Sequence, residues 1–132
     1  MSRLTPYIMF PGACRAAMHF YADVLGGKVV LMQSYAEAPI DVPAEFHDRI
    51  FNSEMRAGAI TIKASDDLPS HPVRIGGNIA LYVEFADKSA QIAVFNKLAD
   101  GGNVLFPLRD SFGMLEDKFG IRWMVVHNSD VD

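Results

Sequence analysis

The 132-residue sequence has one cysteine, four histidines and no apolar run of the eighteen or so residues that a membrane-spanning helix requires. Cys14, alone, excludes an internal disulfide and fits a reducing compartment. It stands near the start of an expected helix with no histidine or second cysteine beside it, and reads as a small packing residue. There is no basic run either. Sixteen acids against twelve lysines and arginines leave a formal charge of -4, so a nucleic-acid backbone would find few cations to bind it. Gly-x-Ser-x-Gly, a P-loop and Gly-x-Gly-x-x-Gly are all missing, which removes the usual motifs of acyl transfer, nucleotide hydrolysis and dinucleotide binding. None of His19, His47, His71 and His127 forms a paired metal-binding spacing, and all four read as solvated or locally hydrogen-bonded. The opening MSRLTPYIMFPGA holds too short an apolar stretch for a signal peptide. A soluble, cytoplasmic protein that engages neither nucleic acid nor membrane is expected.

What the sequence does have is hydrophobic residues, half of the total, enough to bury a core in one domain or two small halves. Leu4 to Phe10 reads as a strand, ended by Pro11-Gly12. Ala13, Ala17, Phe20, Tyr21, Val24 and Leu25 recur at three- and four-residue spacing, one face of a helix that Gly26-Gly27 stops. Strands follow over Lys28 to Tyr35, His47 to Arg56 and Ala59 to Ser65, with a loop over Ala36 to Phe46. After the Pro- and Gly-rich linker within Asp66 to Gly77 the pattern restarts. Asn78 to Phe85 is a strand, Lys88 to Ala99 a helix, Asn103 to Leu108 a strand, and Phe112 to His127 a closing β-hairpin turned at Glu116 to Gly120. Phe20 and Phe95, Gly26-Gly27 and Gly101-Gly102, and Val29-Val30 and Val104-Leu105 are each 75 residues apart. Two copies of a βαβββ module are expected, residues 1–66 and 77–132 with a linker over 67–76, forming one α+β domain over 1–132 with curved mixed sheets around a cleft.

The segments CRAAMHFYADVLGGKV, GNIALYVEFADK, FNKLADGGNVLFPL and FGMLEDKFGIRWMVV, in that order, resemble the PhnB-like branch of the vicinal oxygen chelate superfamily, which includes glyoxalase I, bleomycin-resistance proteins and extradiol dioxygenases. The resemblance covers nearly the whole chain and implies the glyoxalase/bleomycin-resistance fold, a homodimer, and a small-molecule ligand in a concave sheet. Glyoxalase-like members hold a metal with His or Gln and Glu. Here the corresponding positions fall on Pro6, Thr61 or Lys63, Asn78 and Met124, so no metal and no cofactor is expected. PhnB-like relatives often carry histidine where this chain has Asn52. Some relatives have a name implying ubiquinone methylation, but nothing here resembles an S-adenosylmethionine-binding βαβ unit.

By strand alternation the ligand-facing residues are expected to be Ile8, Phe10, Asn52, Thr61, Lys63, Asn78, Tyr82, Arg122 and Met124. The opposite parity, Tyr7, Met9, Ile60, Ile62, Ile79, Leu81, Trp123 and Val125, is expected to pack under the helices. Lys63 and Arg122 are two cations on this face, suited to an anionic or carbonyl-bearing ligand. The alternatives are a glyoxalase- or dioxygenase-type enzyme with displaced metal ligands and a purely structural dimer module.

Overall fold

Each half of the chain is a helix laid on a four-stranded sheet. In the computed structural model, which describes residues 1–131, the halves are two units, Met1–Val73 and Arg74–Asp132. The first contains β1 (Tyr7–Phe10), α1 (Cys14–Leu25), β2 (Lys28–Ser34), β3 (Ile50–Ala57) and β4 (Ile60–Asp66). The second contains β5 (Ala80–Phe85), α2 (Lys88–Ala99), β6 (Asn103–Arg109), β7 (Phe112–Glu116) and β8 (Arg122–His127). The sheet orders are β1-β4-β3-β2 and β5-β8-β7-β6. In each sheet the first and last strands run parallel and the other pairs antiparallel. The repeat read from the sequence is therefore a repeat of topology, an α+β fold of two βαβββ modules.

The Gly-Gly pairs show why the repeat survives at those positions. Gly26 (φ 73°) and Gly101 (φ 78°) turn the chain in the left-handed region, where a side chain is strained. The second glycine of each pair lies against the returning strand. A Cβ on Gly27 would stand 2.2 Å from the Arg56 carbonyl oxygen, and one on Gly102 2.2 Å from that of Glu116. Even the irregularities recur. The register of β2 on β3 slips at Val30, and that of β6 on β7 slips at Leu105, again 75 residues on.

In the first unit α1 packs on β2, β3 and β4, with Ala17, Met18, Tyr21, Met55 and Ile62 all buried. In the second, Val94, Phe95 and Leu98 of α2 are buried, as are Leu115, Trp123 and Val125 of β7 and β8. Each such large apolar side chain contributes about 1.5–3 kcal/mol by leaving water. Gly113 is bare because Phe95 fills the space: a Cβ there would meet its ring at 2.7 Å.

Several boundaries differ from the sequence expectation. Strand β1 starts at Tyr7, and β5 starts at Ala80, leaving Asn78 and Ile79 outside the sheet. His47 to Arg49, expected to open β3, lie outside it, because the chain leaves the short 3-10 turn Ala44–Phe46 at His47 and becomes extended only at Ile50. The start of the 36–46 loop is another such turn, Tyr35–Glu37, closed by a reciprocal cap between Ser34 and Glu37.

Candidate functional site

The helix covers one face of each sheet, so within each unit the other face is the candidate surface. In β3 and β4 the helix side carries Ser53, Met55, Ala57, Ile62, Ala64 and Asp66, all buried. Asn52, Glu54, Arg56, Thr61 and Lys63 alternate with them and lie on the open face. Asn52 stands opposite Gln33, Thr61 opposite Arg56, and Lys63 opposite Glu54. These placements agree with the parity read for β3 and β4.

Strand β1 has the opposite parity to the one read from sequence. Its parallel register pairs Tyr7 with Lys63, Ile8 with Ala64, Met9 with Ser65 and Phe10 with Asp66. Tyr7 and Met9 therefore share the open face, 48% and 57% exposed, while Ile8 and Phe10 lie on the helix side. Phe10 is buried, its ring centroid 6.5 Å from that of Tyr21 on α1. All four residues of β1 are apolar or aromatic, so alternation alone carries no parity signal; the pairing with β4 decides it.

In the second unit Tyr82 pairs with Met124, Met124 with Met114, and Met114 with Phe106, an unbroken row across the four strands. The corresponding row of the first unit is Tyr7, Lys63, Glu54 and Leu31. Tyr7 and Tyr82 are again 75 residues apart. Tyr82, Phe106 and Leu31 are 58%, 56% and 41% exposed, unusual for large apolar side chains. Arg122 lies one row from Met124 on the same face, paired across the strands with Ala80 and Glu116. Asn78, expected on this face, precedes β5 and is exposed outside the sheet, whereas Tyr82, also expected there, lies on it. Ile79, expected under the helix, is 76% exposed because it too lies before the strand.

The two rows differ in chemistry. That of the first unit is charged: Glu54 accepts from Arg56 Nε at 2.5 Å, and its other carboxylate oxygen lies 3.9 Å from Lys63 Nζ. That of the second unit is aromatic and thioether, with the ion pair Arg122–Glu116 (3.5 Å) beside it. The Arg122 guanidinium also lies over Gly77, where a Cβ would come within 2.9 Å of it.

These residues do not fit a divalent metal. The open-face pairs on the first and last strands are Tyr7 with Lys63 and Tyr82 with Met124, two phenols, an ammonium and a thioether, which bring no carboxylate or imidazole. Pro6 contributes its carbonyl to the sheet, accepting the Lys63 amide at 3.0 Å. Among the described residues no three His, Cys, Asp or Glu side chains gather as a metal-holding group. His47 and His127 each point Nε2 at a main-chain carbonyl, of Val42 (3.0 Å) and of Ala86 (3.1 Å). The helix starts are likewise engaged. The Cys14 amide donates to Asp66 Oδ1 (2.9 Å) and the Ala90 amide to Asp87 Oδ2 (3.3 Å), each a cap from the chain's own carboxylate.

Two buried polar clusters were missed as such by sequence reasoning, and both are structural. Asp66 also accepts the Ile50 amide at 2.9 Å, and the Tyr35 hydroxyl donates to its carbonyl at 3.0 Å. Burial, followed by the charge of Asp66, raises the Tyr35 hydroxyl above its usual range. The Ser53 hydroxyl donates to the Ala64 carbonyl at 2.7 Å, so the Cys14 thiol, 3.4 Å away, is the donor to Ser53. Burial pushes that thiol up to about 11. In the second unit Asp117 Oδ1 accepts the amides of Phe119 (2.8 Å) and Ile121 (3.0 Å), and Oδ2 accepts Trp123 Nε1 (2.9 Å). The D-x-F-G-x-x-W portion of the closing hairpin is thus a carboxylate-centred turn, and its spacing is the signal by which it could have been found.

Paired βαβββ modules with one open face apiece define a vicinal oxygen chelate protein. Residues 2–126 match the model of the family described as 3-demethylubiquinone-9 3-methyltransferase, and the chain belongs to that PhnB-like family. Protein PA1353 of Pseudomonas aeruginosa is 32% identical, with a TM-score of 0.88 over 97% of this chain and 98% of its own. A PhnB protein of Bacillus cereus is 25% identical, with a TM-score of 0.80 over 96% and 100%. The fold extends to the fosfomycin resistance protein FosX of Listeria monocytogenes, 5% identical with a TM-score of 0.66 over 96% and 91%.

Proposed function

We propose that the protein is a metal-free, homodimeric small-molecule binder of the cytoplasm, with the open sheet faces as its binding surface. The observation that carries the reading is the row Tyr82, Met124, Met114 and Phe106, two exposed aromatic side chains flanking two half-buried thioethers on the face that the unit's own helix does not cover. Such a band, with a few charged groups at its margin, is the composition of ligand pockets rather than of solvated sheet. Methionine adapts to irregular apolar shapes and makes favourable contacts with aromatic rings, which suits a ligand with an apolar body. Methyl transfer, the activity in the family's name, usually uses an S-adenosylmethionine-binding βαβ unit, which the sequence does not resemble, and the open-face pairs Tyr7 with Lys63 and Tyr82 with Met124 are not donors suited to a divalent metal.

The test is mass spectrometry of the untagged protein under non-denaturing conditions, with elemental analysis of the same sample. A copurifying organic molecule with no stoichiometric zinc, nickel, manganese or iron is expected. Metal retained through dialysis, or glyoxalase- or dioxygenase-type turnover on adding metal, would replace the binder with the enzyme. Methylation of a quinol substrate on adding S-adenosylmethionine would do the same.

A further inference from the structure

Of the open-face cations Arg122 and Lys63, one is committed to its own sheet and the other is not. Arg122 faces Glu116 directly across β7 and β8, one cation to one carboxylate, and its guanidinium is seated over the bare backbone of Gly77. Its side chain is 31% exposed. Lys63 is placed differently. Glu54 faces it, but that carboxylate is held by Arg56 Nε at 2.5 Å, leaving Lys63 Nζ at 3.9 Å, the outer limit of an ion pair. Lys28, opposite Arg56, adds a third cation to the same face. The strands of the first sheet thus set Lys28, Arg56 and Lys63 against Glu54 alone on their open side, although the chain as a whole is acidic, at -4.

An open face with surplus positive charge in an acidic protein is complementary to an anion. Its cation nearest the aromatic strand β1 is Lys63, paired in register with Tyr7. We propose that Lys63, with Tyr7 beside it, is the anchor for an oxyanion, a carboxylate, sulfonate or phosphate carried on an apolar small molecule, and that Arg122 is a structural cation. The inference deepens the binder reading and rests on it. The corresponding position in the second unit is Met124, so the duplicated modules have divided at this point into a charged row and an apolar one. An ammonium on a flexible stem accepts oxyanions of varied shape, which fits a class of ligands defined by charge more than by geometry. With Lys63 39% exposed, water screens the interaction, and its loss is expected to weaken binding about three- to tenfold, about 0.7–1.4 kcal/mol.

Two fluorescent probes that share a ring system test this, anilinonaphthalene sulfonate and its uncharged counterpart phenylnaphthylamine. Wild-type protein is expected to bind both and to prefer the sulfonate, a preference that shrinks as salt is raised. Lys63→Met, which installs the residue found at the same place in the other module, should remove the preference while leaving phenylnaphthylamine affinity unchanged. Lys63→Arg should keep it, and Arg122→Met should not alter it. Far-UV circular dichroism identifies variants that fold. Should Lys63→Met misfold, Lys63→Gln takes its place with the same expectation. An unchanged probe ratio in the folded Lys63 variant, or a ratio that follows Arg122 instead, overturns the anchor while leaving the binder reading intact. A Lys63 variant that keeps the ratio but becomes monomeric shows that the cation seats a second copy, and also overturns it. If neither probe binds the wild type, the small-molecule reading itself falls.

Discussion

Asp117 and Cys14 show how differently two buried polar residues can act. Asp117 fixes the turn between β7 and β8 and the single tryptophan at once, so removing its carboxylate strands buried donors. Asp117→Ala is expected to cost about 2–4 kcal/mol, and Asp117→Asn less, because one oxygen remains to accept. Urea unfolding followed by Trp123 fluorescence measures both; equal stability of Asp117→Ala and wild type would refute the carboxylate-centred turn. Cys14 does the opposite of what its place at a helix start suggests, since burial raises its thiol from 9.0 to about 11 instead of activating it. In the unfolded chain the thiol ionises near 9, and in the folded protein it stays neutral until about 11. The contribution is therefore intact below pH 9 and is lost as pH rises from 9 to 11, by at most about 1.4 kcal/mol per pH unit. Cys14→Ala should lack that part of the alkaline slope, and native protein should resist thiol reagents at pH 8 until it is unfolded.

Strands and helices were legible wherever their pattern was repeated or bounded. The Gly-Gly stops, both helices and the parity of β3, β4 and β8 follow from the sequence, because buried small and apolar residues alternate there with Asn, Glu, Arg, Thr and Lys. Strand β1 was not, because Tyr7, Ile8, Met9 and Phe10 are all apolar or aromatic and only the long-range register with Lys63 to Asp66 orients them. That single reversal moved Ile8 and Phe10 off the candidate surface and brought Tyr7 and Met9 onto it. Asn78 failed for a related reason: position relative to a motif does not say where a strand begins, and the chain enters β5 only at Ala80. The Gly-Gly reading makes its own prediction. Gly102→Ala, with only 2.2 Å between its new Cβ and the Glu116 carbonyl oxygen, must push β6 off β7, at a cost of about 1–3 kcal/mol or more. Gly76→Ala, whose Cβ would stand 3.7 Å from Asn78, serves as the tolerated control in a paired denaturation experiment.

At the scale of the whole molecule the expectation is association. Exposed Tyr7, Met9, Leu31, Tyr82 and Phe106 leave each unit with apolar surface that a ligand or a second chain would bury. Light scattering at micromolar concentration is expected to give twice the 14.6 kDa chain mass; a monomer mass would remove the dimer. No helix among the described residues is long and apolar enough to cross a membrane. The order of strands has a further consequence, for how the chain comes into being. Among the described residues strand β1 has β4 as its only neighbour and β5 has only β8, although each of these partners is the last strand made in its unit. A nascent chain therefore leaves the ribosome with the first strand of each unit waiting, unpaired, for later synthesis, β1 through residues 11–59 and β5 through residues 86–121. A ribosome that stops before Arg122 releases a first unit able to close and a β5 with nowhere to pair, an edge open to any other chain.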